Sequence, residues 1–399
     1  MFNPSPFSPS PFAAVRGAPP TSFKKPETSA APPSYINYVA DYGGCGHWRS
    51  IWPSNHLNMK GKSVSIYLNR MVFDKAWYKG VTCIRVQRQV AAHQLEFIKF
   101  LKSIQPECGF KMIYEIDDVI FKEDIPEYNA QKPAFDSDEV RQNSIEIINM
   151  CDEVTVTCDY MRRLYIERTG KEEVTVIPNF PPESWIGVHY NKEKVYRGFE
   201  KHKQKPRILY AGSGTHYDVK NRNNGVDDFS EIIEFVANTT DKYQWVFLGA
   251  FPPAFKSLVR DKKVELHPWV NIQEYPKKLS ELDVQLVIAP LLDNSFNKSK
   301  SDIKFFEAAA LGIPCLCQDL CTYNSVPAEL RFGDVDEFER KIASILSFKN
   351  RKKYFNNVEK LRQMGTSRFL ENPENIGCFE EVYNTPYGSK QRKFLSKWN

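Results

Sequence analysis

The chain reads as an α/β protein made of two Rossmann-like domains, each with a mainly parallel sheet, facing a central cleft. Three observations carry this. Short apolar runs alternate with helix-length amphipathic stretches, the rhythm of βαβ units. Polar and charged residues collect where the apolar runs end, at Arg85-Val-Gln-Arg88-Gln89 and Glu115-Ile-Asp117-Asp118, as the walls of a crevice require. A length of 399 residues suits two cores better than one.

Taken in order, residues 1–34 hold nine of the 26 prolines, spaced by Ser and Ala, and cannot bury a core. They are expected to form a disordered or polyproline-like tail. Folded sequence begins with a strand, Tyr35–Ala40, then a glycine-rich turn, Asp41–Arg49, and a helix to about Lys60. Gly43, Gly44 and Gly46 permit close approach of backbone to a ligand at a helix start. His47 and Arg49 are expected to face that ligand; the plainer account of His47 is a helix cap. Further strands are expected at Lys62–Asn69, Val81–Val86, Phe110–Ile116, Glu153–Cys158 and Val174–Pro178. Helices are expected at Gln89–Ile104, Ser137–Met150 and Tyr160–Thr169. Pro181–Lys205 breaks the pattern with prolines and a charged run. The expected division is therefore 35–185 for the first domain, 186–205 for a linker, 206–370 for the second domain, and 371–399 for a C-terminal helix and basic tail.

The second half opens with a strand, Arg207–Ala211, and a small-residue loop, Gly212-Ser213-Gly214-Thr215-His216-Tyr217-Asp218. Its N–H groups and hydroxyls are expected to make an anion nest, with Lys220 and Arg222 following to neutralise a diphosphate. A helix over Asp227–Asn238 and strands at Tyr243–Leu248 and Val264–His267 come next. The most informative stretch is Leu286–Gln318: a buried strand to Pro290, a polar loop over Asp293–Asp302, a helix ended by Gly312, and a strand over Ile313–Cys317. Lys298, Lys300 and Lys304 surround the helix start, where free N–H groups favour an anion. Glu307 lies one turn on. It either accepts from a ribose diol or forms an exposed pair with Lys304. Helices are expected over Val335–Phe348 and Lys352–Met364.

The run SKSDIKFFEAAALGIPCLCQD, residues 299–319, resembles the nucleotide-sugar motif of GT-B glycosyltransferases of the glycogen-synthase-like, retaining kind (family-4 type). The resemblance implies a second domain that binds a nucleotide-diphosphate sugar, with Glu307 on the ribose. Ser213, Gly214, Thr215, His216, Lys220, Arg222, Lys300 and Lys304 would then lie around the diphosphate, and Gly43, Gly44 and Gly46 in the interdomain cleft. It implies an acceptor on the first domain near His47, Arg49, Asp117 and Asp118, a C-terminal helix and tail over 371–399 packing back on the first domain, and retention of anomeric configuration. This chain departs from the family at Lys300, where a second Glu is usual. The pattern YEIDD-IF-IP-YN over Tyr114–Asn129 resembles bacterial and phage members. The Gly44-Cys45-Gly46 turn resembles that of phage DNA α-glucosyltransferases. The expected acceptor is accordingly a 5-hydroxymethylpyrimidine in phage DNA; the alternatives are a cell-envelope polysaccharide or lipid-linked glycan, and a non-catalytic module that binds sugar nucleotide or DNA.

Composition narrows the rest. A net charge of +5 is too mild to make the whole chain a nucleic-acid binder, although Ser389–Asn399 interleaves basic and aromatic residues with no acid. Nine cysteines at irregular positions fit buried thiols in a reducing compartment. Cys315, Cys317 and Cys321 lack zinc spacing, and Asp117-Asp118 alone makes no metal site. No metal or cofactor is expected, only the nucleotide sugar as co-substrate. No apolar run reaches bilayer length, so the expectation is a cytoplasmic protein without a membrane segment.

Overall fold

The computed structural model describes residues 33–388. The proline-rich tail up to Pro32 and the basic stretch from Ser389 lie outside the described residues.

Two six-stranded parallel sheets form the frame. In the first, β1 is Ser34–Tyr38, β2 Val64–Leu68, β3 Cys83–Gln87, β4 Lys111–Glu115, β5 Glu153–Val156 and β6 Val174–Val176. Their order is β2-β1-β3-β4-β5-β6. In the second, β7 is Arg207–Gly212, β8 Gln244–Gly249, β9 Glu265–His267, β10 Leu286–Ala289, β11 Cys315–Gln318 and β12 Arg331–Phe332. Their order is β12-β11-β10-β7-β8-β9. Strand order reverses between β1 and β3 and between β7 and β10. A crevice opens at the carboxyl ends of such pairs, and that is where an α/β sheet binds ligand.

The inner strands β3, β4, β10 and β11 are buried along their whole length, covered on both faces, while the edge strands β2 and β9 are only partly buried. Ile84, Val86, Met112 and Tyr114 turn to one face, against the Ala92–Cys108 and Asp138–Met150 helices. Cys83 and Ile113 turn to the other, where Phe379 and Tyr383 of the Pro373–Asn384 helix cover them. Lys111 Nζ donates to Val382 O at 2.8 Å, and the Tyr35 and Tyr383 rings meet edge to face at 5.5 Å. The last helix thus packs on the first sheet although it follows the second in sequence.

The stretch over 186–205, expected as a linker, carries a helix, Lys192–Lys201. Its Phe199 ring stacks beside Tyr354 on the long Arg351–Ser367 helix. The polar loop after β10 contains a helical turn, Ser295–Lys298, capped by Asn294, whose side chain accepts from Asn297 N. The helix expected from Asp227 is regular only over Ile233–Asn238. Two helices not expected, Lys256–Arg260 and Tyr275–Glu281, flank β9.

Candidate active site at the seam of the two sheets

The crevice of the second sheet lies between β7 and β10, and the Ile303–Ala310 helix runs beside it. Lys304 reaches the carboxyl end of β7: its Nζ donates to Ala211 O at 2.7 Å and sits 4.1 Å from the centre of the Tyr210 ring. Burial, reinforced by Lys300, lowers its pKa to about 8. One turn on, Glu307 is 7% exposed. Its Oε2 accepts one hydrogen bond, from Tyr275 OH at 3.1 Å. Among the described residues no cation lies within ion-pair distance of it, and burial raises its pKa to about 7. The exposed Lys–Glu pair is therefore ruled out. A buried carboxylate with one neutral donor is under-satisfied, since a carboxylate accepts several hydrogen bonds.

Lys300 is also without an ion-pair partner among the described residues; its Nζ lies 4.3 Å from the Phe296 ring centre. It lines a cavity of about 50 Å³ with Thr215, Asn129, Gln131 and Asp118, a space for waters. Asp118 comes from the end of β4 on the first sheet, so this cavity straddles the seam. Its carboxylate accepts from Val119 N at 3.0 Å, and burial raises its pKa. Asp117 differs. Arg88 Nη2 donates to it at 2.7 Å, and although burial acts to raise it, Arg88 holds it below the usual carboxylate range. Arg88 has φ 50°, a left-handed conformation uncommon for a non-glycine residue, at the switch point of the first sheet.

Several expected contacts go elsewhere. Arg49, expected to face the ligand, is fully buried: its Nε donates to Glu115 Oε1 at 2.7 Å and its Nη1 to Ile177 O at 2.6 Å. The physical reason is Glu115, a carboxylate at the end of β4 that needs a cation. Arg85, a strand-end candidate, is buried with it, donating to Asn37 Oδ1 at 2.8 Å. In the glycine-rich turn, Asp41 Oδ1 accepts from Gly43 N at 2.7 Å and Gly46 N at 3.2 Å, so those two donors are not free for a ligand. Gly46 is required for a different approach, since a Cβ there would lie 1.8 Å from Asp41 O. Gly44 faces open space. His47 Nδ1 donates to Gly43 O at 2.7 Å, which leaves Nε2 to accept from Gln273 of the second half at 3.1 Å.

The 212–222 loop is held in part by its own side chains. Ser213 Oγ meets Thr215 Oγ1 at 2.7 Å, and Gly214 has a near-open surround. Asp218 accepts from Arg222 N, Asn223 N and Gly225 N at 2.7–2.9 Å, so its carboxylate closes the turn that follows the Gly212–Tyr217 stretch. Lys220 and Arg222 project as exposed cations without ion pairs among the described residues. His216 turns inward: its Nδ1 lies 2.6 Å from Asp228 Oδ2, and burial, then Lys300, lowers its pKa to about 4. Lys298 pairs with Asp293 at 2.5 Å.

Sequence reasoning missed the residues that join the halves. Tyr128 OH donates to Asp228 Oδ1 at 2.7 Å and accepts from Asn294 Nδ2 and Asn297 Nδ2 at 3.1 and 3.0 Å. Tyr275 and Gln273 were missed with the helix and turn that carry them. Asn297 was legible only as one of several polar residues in its loop.

No family model matches the sequence, and no curated protein matches it. Solved structures resemble the fold. An α-glucosyltransferase solved with UDP and a 13-mer DNA containing an HMU base is 14% identical, with TM-score 0.52, covering 88% of this chain and 98% of that one. The N-terminal domain of Candida albicans trehalose-6-phosphate phosphatase is 10% identical, with TM-score 0.52, covering 91% and 98%. S. aureus TarM, solved with fondaparinux, α-GlcNAc-glycerol and UDP, is 11% identical, with TM-score 0.50, covering 84% of this chain; the chain spans 58% of TarM. With two parallel six-stranded sheets, these likenesses define a GT-B fold.

Proposed function

We propose that the chain is a glycosyltransferase that moves a sugar from a nucleotide-diphosphate sugar to an acceptor hydroxyl. The carrying observation is Glu307: a buried carboxylate that, among the described residues, has one hydrogen bond and no cation within ion-pair distance, beside the second sheet's switch point. A ribose diol supplies the two donors it lacks. Lys304, Lys300 and the start of the Ile303–Ala310 helix then face the diphosphate and stabilise its negative charge as it leaves. Asp118 lines the seam cavity with Lys300 and receives the acceptor hydroxyl, its raised pKa suiting a group that takes a proton. The transfer proceeds with retention on the strength of the motif around Glu307.

The acceptor is a 5-hydroxymethylpyrimidine in duplex DNA. The basic, aromatic stretch after Ser389 and the likeness to a structure holding HMU-containing DNA support this. The test mixes the protein with UDP-, GDP- and dTDP-sugars and duplex DNA carrying 5-hydroxymethylcytosine or 5-hydroxymethyluracil, and weighs the nucleosides. A nucleoside heavier by one sugar, absent with Glu307→Ala, is the expected result. Donor hydrolysis without DNA modification moves the acceptor to envelope glycans. Donor binding without any turnover leaves a non-catalytic module.

A further inference from the structure

The segment leaving β6 crosses toward the second sheet, and one side chain on it touches both halves. Asn179 is buried; its Oδ1 accepts from Arg49 Nη1 at 2.9 Å and its Nδ2 donates to Ser301 Oγ at 3.0 Å. A guanidinium only donates, so the amide oxygen must face Arg49 and the amide nitrogen must face Ser301. Arg49 is itself fixed by Glu115 at the end of β4. An unbroken series of hydrogen bonds thus runs from Glu115 through Arg49 and Asn179 to Ser301.

Ser301 sits between Lys300 and Asp302, immediately before the helix bearing Lys304 and Glu307. Asp302 is held from its own half, by Arg368 Nη2 and Ser325 Oγ, each at 2.6 Å. The turn is therefore gripped on one side by the second half and on the other by Asn179.

We infer that Asn179 is a positioning residue, setting the turn at residues 299–302 in register with Asp118 across the seam. The inference rests on the glycosyl-transfer reading. Donor contacts, Lys300 among them, lie on the second half, where Arg368 and Ser325 hold the turn through Asp302 without Asn179; bringing donor and acceptor groups together needs Asn179. Losing the Asn179–Ser301 bond is therefore expected to lower kcat and spare donor KM.

The test compares Ser301→Ala, Ser301→Thr, Asn179→Ala and the double variant Asn179→Ala/Ser301→Ala. Readouts are kcat, donor KM and amide hydrogen exchange over residues 299–306. Ser301→Ala leaves the buried Arg49–Asn179 pair intact. Its expected effect is a fall in kcat of about fivefold to tenfold, a net hydrogen bond's worth, with donor KM within about twofold. Faster exchange confined to 299–306 accompanies it. Ser301→Thr, which keeps the hydroxyl, restores both. The double variant is expected to lose no more in kcat than Asn179→Ala alone. Unchanged kcat and exchange in Ser301→Ala overturn the inference, as do multiplying effects in the double variant or a loss carried by KM. If the wild-type chain turns over no donor, the glycosyl-transfer reading fails by itself. Exchange then decides alone: faster exchange in Ser301→Ala keeps Asn179 as the tie between the halves, and unchanged exchange removes it.

Discussion

The carboxyl ends of the two sheets are built on opposite electrostatic plans. At the first, Glu115 and Asp117 are held by arginines, while Asp118 is left to the cavity at the seam. Glu115 takes Arg49 at 2.7 Å, Thr155 Oγ1 at 2.5 Å and the more distant Arg85 at 3.8 Å, while Asp117 takes Arg88 at 2.7 Å. At the second, buried Glu307 accepts from the Tyr275 hydroxyl, half-buried Lys304 donates to Ala211 O against the Tyr210 ring, and Lys300 rests on a ring. Paired charges hold a shape, whereas unpaired buried charges cost stability until something binds. The first end is a frame and the second a receptor. The difference is measurable.

The largest effect is expected in the frame. Arg49→Met leaves buried Glu115 with the Thr155 hydroxyl and, as its remaining cation among the described residues, the more distant Arg85, and removes the donor to Asn179. Chemical denaturation should show a loss of about 3–5 kcal/mol, the cost of orphaning one member of a buried pair. A loss under about 1 kcal/mol would mean that solvent reaches Glu115 and that the frame is not sealed.

The receptor should behave in reverse. Glu307→Gln removes a strained charge, so the ligand-free protein should not be destabilised, while donor affinity falls about tenfold to a hundredfold as charge-assisted bonds to the ribose are lost. The pH dependence sharpens this. A carboxyl raised from 4.5 to about 7 on folding binds its proton more tightly in the folded state. Stability is then retained below 4.5 and falls as pH rises through about 7. Lys304 is lowered from 10.5 to about 8, so the unfolded chain holds more protons between those values and stability recovers as pH rises across them. Donor binding needs Glu307 ionised and Lys304 protonated. Calorimetry should find the tightest donor binding between about 7 and about 8, with the acid limb abolished in Glu307→Gln.

This contrast also shows what the sequence could say. Parallel strands covered on both faces are continuous apolar runs, so the sheets were legible in one dimension, apart from β12, whose two residues carry no pattern. Lys300, Lys304 and Glu307 were legible because one turn and one helix carry them. The frame was not. Arg49 and Glu115 are 66 residues apart, and nothing local distinguishes an arginine that meets phosphate from one that meets a strand-end carboxylate. The Lys192–Lys201 helix was hidden because it buries only Gly198 and Phe199, so its charges dominate the reading.

The smallest effect separates two explanations of how the halves meet. Tyr128, on the first, donates to Asp228, which also accepts from Leu292 N at 3.0 Å and Asn297 Nδ2 at 2.6 Å on the second. Burial acts to raise the Asp228 carboxyl, but His216 and these donors hold it below the usual range, so it is charged and saturated. Tyr128→Phe removes one donor among several and leaves Asn294 without its tyrosine acceptor. The expected loss is about 1 kcal/mol in denaturation. Asp228→Asn strikes the same point harder, because His216, Tyr128 and Leu292 N all direct hydrogen-bonding groups at a carboxylate. If Tyr128→Phe instead cost as much as Arg49→Met, the halves would be held by the Asp228 cluster, and the pairing around Glu115 would be local to its own sheet.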